Sequence, residues 1–101
     1  MYTSRLKSPA TDLLAKALLS LENEEECYRF MEDLLTVREI RDLSQRLEVA
    51  MLLKDKVTYN EIVERTGVST ATIGRVNRSL AYGAGGYMSV IDKISKEGKN
   101  D

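Results

Sequence analysis

Gly67 limits what this chain can fold into more than any other residue. It stands between two stretches of helical period, TYNEIVERT before it and STATIGRVNRSL beyond Val68. A glycine there supplies the left-handed backbone that turns one helix sharply into the next, which a residue with a Cβ adopts only at a cost. In the first stretch Thr58 is placed to cap a helix, with Glu61 three positions on to reach back to its N–H as a capping box. Tyr59, Ile62, Val63 and Thr66 form its inward face. In the second, Ser69 is the cap and Ile73, Val76, Asn77 and Leu80 are the inward stripe, while Val68 pins the turn to the core. Two short helices joined this way make a helix-turn-helix, whose second helix enters a DNA major groove.

The residues left facing outward suit that use. Ser69, Thr70, Ala71 and Thr72 are small or hydroxylic at the leading end of the second helix. There they can approach base edges, bond a phosphate or touch a thymine methyl. Arg75 and Arg78 follow one turn later. From Arg65 through Ile91 there are three arginines and no Asp or Glu, against a formal charge of −1 for the whole chain. Phosphate attraction depends on where charge sits, so a locally basic segment outweighs the total. Ser69, Thr70, Ala71, Thr72, Arg75 and Arg78 are the candidate DNA-binding residues.

The rest of the chain reads as support for this pair. At 101 residues it is one domain, and 43% apolar with 31% charged residues is an ordinary globular balance. MYTSRLK has no period and reads as a loose arm. Ser8 and Pro9 open a helix with Leu13, Leu14, Ala17, Leu18 and Leu21 on one stripe. Asn23 with Glu26 is a second capping signal, followed by Phe30, Met31, Leu34 and Leu35 as an inner face. Thr36 with Glu39 opens the longest helix, Val37 to about Lys54. Ile40, Leu43, Leu47, Ala50 and Met51 make its main stripe, with Val49, Leu52 and Leu53 spreading apolar surface to the other side, so it should run through the centre. After Gly83-Ala84-Gly85-Gly86, a last helix over 87–96 is carried by Met88, Ile91 and Ile94.

This is an all-α pattern of six helices: core and dimerisation helices over 8–54, the helix-turn-helix over 58–80 and the final helix, in one domain over 1–101. The first two helices carry more apolar stripe than a helix-turn-helix core needs to cover it. Unclaimed stripes in so short a chain imply burial against a second copy. A twofold dimer also sets two reading helices roughly 34–36 Å apart, one DNA turn, matching palindromic half-sites.

Several classes are disfavoured. There is no histidine, and the single Cys27 has no base partner and reads as a buried free thiol. The carboxylates at Glu22 to Glu26 and Glu32-Asp33 read as solvated helix surface. No metal-ligand spacing or phosphate loop occurs, and GAGG lacks a preceding strand. Neither a catalytic centre nor a metal site is expected. No apolar run approaches a membrane span and the amino terminus lacks the apolar core of a secretory signal, so a cytoplasmic protein is expected.

LLTVREIRDLSQRLEV followed by TYNEIVERTGVSTATIGRVNRSL resembles the Trp repressor (TrpR) family, most closely its YerC/YecD-type TrpR-related branch. The likeness covers about Glu32 to Leu80, with the run Ser69 to Leu80 its most specific part. It implies an intertwined all-helical homodimer; helix-turn-helix docking and water-mediated base contacts are features described for Trp repressors themselves. It also implies a pocket between the central and reading helices, in which two arginines sandwich an indole while a threonine and a serine hold polar groups. Those positions fall on Arg46, Arg75, Thr36 and Ser79. Guanidinium planes stack on an aromatic face and pair with a carboxylate, so the set is chemically coherent. The chain departs from the pattern at Asp33, where the family has a leucine, and at Val76, where a glycine would leave room for an indole. The resulting expectation is no fixed cofactor, with tryptophan or another small aromatic or amino-acid corepressor as the ligand the resemblance would allow. Arg75 belongs to both sets, which would couple pocket occupancy to the tilt of the reading helix.

The function expected is a sequence-specific transcriptional regulator, a repressor, acting on double-stranded DNA. The rival is a helical dimer that adapts between proteins and has lost DNA binding. Few arginines mean few phosphate contacts, and Gly74 places no side chain where base contacts are usual.

Overall fold

Six helices follow one another: α1 Pro9–Leu19, α2 Glu24–Leu34, α3 Val37–Lys54, α4 Tyr59–Thr66, α5 Thr70–Tyr82 and α6 Gly86–Lys99. The computed structural model describes residues 2–99, and among the described residues there is no strand. The chain divides into two units, one running to Val37 and the other beginning at Arg38.

Capping organises the first unit. Ser8 Oγ accepts from the N–H of Thr11 at 3.1 Å, and Thr11 Oγ1 accepts from the N–H of Ser8 at 2.8 Å. Pro9 follows at the first helical position, where a missing N–H costs nothing. Of the arm ahead of it, Leu6 and Lys7 are tied to the helix. The Thr11 hydroxyl donates to the Leu6 carbonyl at 2.9 Å, and Lys7 pairs with Asp12 at 2.7 Å. In α2 the Asn23 side chain accepts from the N–H of Glu26 at 2.9 Å. The Glu26 carboxylate then reaches past the cap to the N–H of Glu22, also at 2.9 Å.

Neither α1 nor α2 buries a residue. Leu13 and Leu18 stay 70% and 54% exposed, and Leu14 and Leu34 are exposed as well. Cys27, expected inside, is only half-buried, because this unit contains no buried layer to receive it.

The second unit holds the core. Val49 and Ala50 of α3, Ile62 of α4, Val68 of the turn, Ile73 and Val76 of α5 and Ile91 of α6 are buried together. Leu47, Leu52, Leu53, Val57, Val63, Leu80 and Tyr87 pack around them. Each buried Val or Ile contributes about 1.5–3 kcal/mol. All four helices supply the layer, so the side chains that seat α3 also set the direction of α4 and α5.

Several positions fall on a different face from the one their spacing suggests. The buried side of α3 is Val49 and Ala50, while Leu43 and Met51 of the expected main stripe are exposed. Asn77 is exposed, because Ile73, Val76 and Leu80 already fill the inward arc of α5 and position 77 falls beyond its edge. Tyr59 is exposed beside the buried Ile62. α6 starts at Gly86, one residue early, and its buried contact is Ile91, with Met88 and Ile94 exposed.

Candidate nucleic-acid interface

The turn between α4 and α5 is built from three local devices. Gly67 takes φ +73, and its N–H closes α4 on the Val63 carbonyl at 2.8 Å. The Thr66 hydroxyl donates to the Ile62 carbonyl at 2.7 Å and accepts from the N–H of Val68 at 3.1 Å, which draws Val68 into the core. Ser69 then caps α5, accepting from the N–H of Thr72 at 3.2 Å. Thr58 caps α4 through the N–H of Glu61 at 3.3 Å, but only half of the expected box forms. The Glu61 carboxylate pairs with Arg65 at 3.3 Å instead of returning to the cap.

This arrangement presents the leading end of α5 to solvent. Ser69, Thr70, Ala71, Arg75 and Arg78 are exposed, and Thr72 is half-buried. Ser69 and Thr72 also share a 3.2 Å hydroxyl contact, so part of their bonding capacity is taken up within the cap. Ala71, Arg75 and Arg78 follow helical spacing and share one outward stripe with Tyr82, which is exposed a turn further on. Tyr82 was not singled out by sequence reasoning, although its position four residues after Arg78 carries the signal.

The charge on this face is narrower than the sequence suggests. Arg65 forms a half-exposed ion pair with Glu61, whereas Arg75 and Arg78 meet no carboxylate among the described residues. Two guanidiniums on the exposed stripe of a fixed helix can take phosphate oxygens or the acceptor edge of a guanine.

Behind the stripe, two open clefts separate α3 from α5. One, of about 330 Å³, has Asp42, Gln45 and Arg46 of α3 on one wall, with the Gly67–Ser69 turn, Thr72 and Arg75 on the other. The second, of about 250 Å³, is lined by Arg46, Thr72, Arg75, Val76, Ser79 and Tyr87. Arg46, Arg75 and Ser79 are thus brought together. Thr36, the fourth expected member, is exposed just ahead of α3 and belongs to the first unit. Among the described residues Arg46 makes no ion pair with Asp42. Val76 is a core residue, buried to 2% exposure, so its side chain belongs to the packing rather than to open space. Gln45 was also missed, though positions 42, 45 and 46 share one face of a helix. Tyr87 could not be placed from sequence, because four residues of glycine and alanine hide the direction of α6.

The chain is similar to known proteins along nearly its whole length. A family model described as Trp repressor protein matches residues 10–95. An uncharacterized protein of Bacillus subtilis strain 168, YerC, is 46% identical over 96 residues, covering 95% of this chain and 92% of the relative. A crystal structure from Staphylococcus aureus, provisionally assigned as a Trp repressor, superposes with a TM-score of 0.85 at 49% identity, covering 90% of this chain and 91% of that one. The crystal structure of a TrpR-like protein from Eubacterium eligens gives the same TM-score at 50% identity, with 90% and 94% covered.

Proposed function

The chain belongs to the Trp repressor family, and from that footing we propose that it is a sequence-specific transcriptional repressor reading duplex DNA as a homodimer. One observation carries the proposal. The exposed stripe of α5 offers small and hydroxylic residues at its leading end and two arginines with no carboxylate partner among the described residues. Ser69, Thr70, Ala71 and Thr72 meet base edges or phosphates, and Arg75 and Arg78 supply charge.

The dimer rests on the first unit. Two helices with apolar stripes and no buried residue need a surface to cover them, and Leu13 and Leu18 at 70% and 54% exposure measure what a second copy would remove from water. The twin reading helices then address half-sites roughly one helical turn apart. A ligand in the Arg46–Arg75 clefts would bear on this geometry, since Arg75 lies both on the cleft wall and on the outward stripe.

Selection from random duplexes at low and moderate salt tests the proposal. A defined, palindromic preference is expected, abolished by the double substitution Arg75→Ala and Arg78→Ala. Selection of nothing at either salt, from a well-folded dimer, would favour the protein-adaptor reading.

A further inference from the structure

Gly74 is a glycine that the interior of this protein does not require. It lies in the middle of α5, where glycine weakens a helix relative to alanine. A Cβ built on it meets no atom within 4 Å beyond its own stretch of helix. Gly83 is different, because a Cβ there would overlap the Ser79 carbonyl, and Gly67 needs its positive φ. Position 74 has neither reason. On the helix surface its neighbours are Ala71 one turn before, Arg75 beside it and Arg78 one turn after, all exposed.

We infer that Gly74 is the point at which the α5 backbone comes closest to a bound duplex, and that its missing side chain is a steric determinant of docking depth. A Cβ at that point would hold the helix away from the groove and lengthen the reach required of the hydroxyls before it and the arginines after it. The inference rests on the DNA-reading proposal and deepens it.

The test compares wild type with Gly74→Ala and Gly74→Leu. Affinity for a duplex selected by the wild type is read by fluorescence anisotropy, thermal unfolding by circular dichroism, and assembly by sedimentation. Gly74→Ala should raise Tm by about 4 °C, since alanine is the better helix former and has room. It should leave assembly unchanged and weaken binding about tenfold, with Gly74→Leu weaker still. An alanine variant that binds as tightly as wild type overturns this inference alone. Altered assembly overturns it too, by showing that the glycine serves a contact between copies. A wild type that selects no duplex removes the DNA reading itself, and this inference with it.

Discussion

Lys54, at the last turn of α3, and Asp92, in α6, meet at 2.7 Å across 38 positions of sequence. The hydrogen bond from the Lys54 ammonium, followed by its charge, holds the Asp92 carboxyl below its ordinary value of 3.8. A carboxylate whose folded pKa is depressed adds stability above the unfolded pKa and loses it as pH falls through the folded one. The Asp92 side chain is 54% exposed, so solvent screens the pair and the effect is small. Asp92→Asn should lower Tm slightly at pH 7, and the gap should close as pH falls below the ordinary carboxylate range. A gap unchanged between pH 7 and pH 2.5 would show that the pair does not act through charge.

The end of α3 offers a larger effect. Lys56 is the one non-glycine residue at positive φ among the described residues, at +66. Its N–H bonds the Leu53 carbonyl at 3.0 Å and the N–H of Val57 bonds the Leu52 carbonyl at 3.1 Å, a Schellman closure that ordinarily holds glycine. The left-handed conformation costs a residue with a Cβ roughly 1–2 kcal/mol. Glycine recovers that but loses more chain entropy on folding, so Lys56→Gly should gain about 0.5 kcal/mol in urea unfolding. Lys56→Val should lose at least as much, because β-branching makes the conformation worse.

Gly83 and Gly85, between α5 and α6, should respond differently to alanine. Gly83 donates its N–H to the Ser79 carbonyl at 2.9 Å, and an added Cβ would overlap that same carbonyl. Gly85 has open space but φ +85. Gly83→Ala should therefore cost about 2 kcal/mol or more, through backbone displacement, and Gly85→Ala about 1 kcal/mol, through conformational strain alone. Equal losses in parallel denaturant titrations would show that the segment adjusts as a soft linker.

Where one local cause acts, the fold was legible. Ser8, Asn23, Thr58 and Ser69 each cap the helix they were expected to open, and Gly67 turns the chain as its position between two periodic stretches demands. What escaped is decided by competition. Glu61 has two partners in reach and takes Arg65, which halves a capping box and removes one of three arginines from the basic segment. Lys56 closes a helix without glycine, so no residue type announced it. Leu43, Met51 and Asn77 have helical spacing that allows burial, but the inward arc is filled by others. At the candidate site, the outward stripe of α5 could be read from period and charge. The clefts could not be read from period and charge, since their walls come from helices far apart in sequence; Arg46, Arg75 and Ser79 were expected there only through the family resemblance.

Tryptophan should not stabilise this protein. Arg46 and Arg75 share a cleft of about 250 Å³, but Val76 is committed to the core and Tyr87 forms part of the lining. A ligand at one hundred times its Kd adds about 2.7 kcal/mol, enough to move Tm by roughly 10 °C or more in a domain of this size. Thermal unfolding in millimolar tryptophan is expected to match the ligand-free curve. A large upward shift that Arg46→Ala abolishes would instead establish the clefts as a tryptophan site.

Salt dependence separates the arginines by their partners. A protein that neutralises phosphates releases counterions, and each contact steepens the fall of log K with log salt by about 0.9. Arg78 has no carboxylate beside it among the described residues, and in a dimer its removal deletes two contacts. Arg78→Ala should therefore flatten the slope by about 2, with binding to all sequences weakened to a similar degree. Arg65 is the internal control, because Glu61 at 3.3 Å already holds its charge, and Arg65→Ala should leave the slope near that of wild type. A slope that falls equally in both variants would mean that the Glu61 pair opens when DNA arrives, and that the basic surface is wider than the free protein presents.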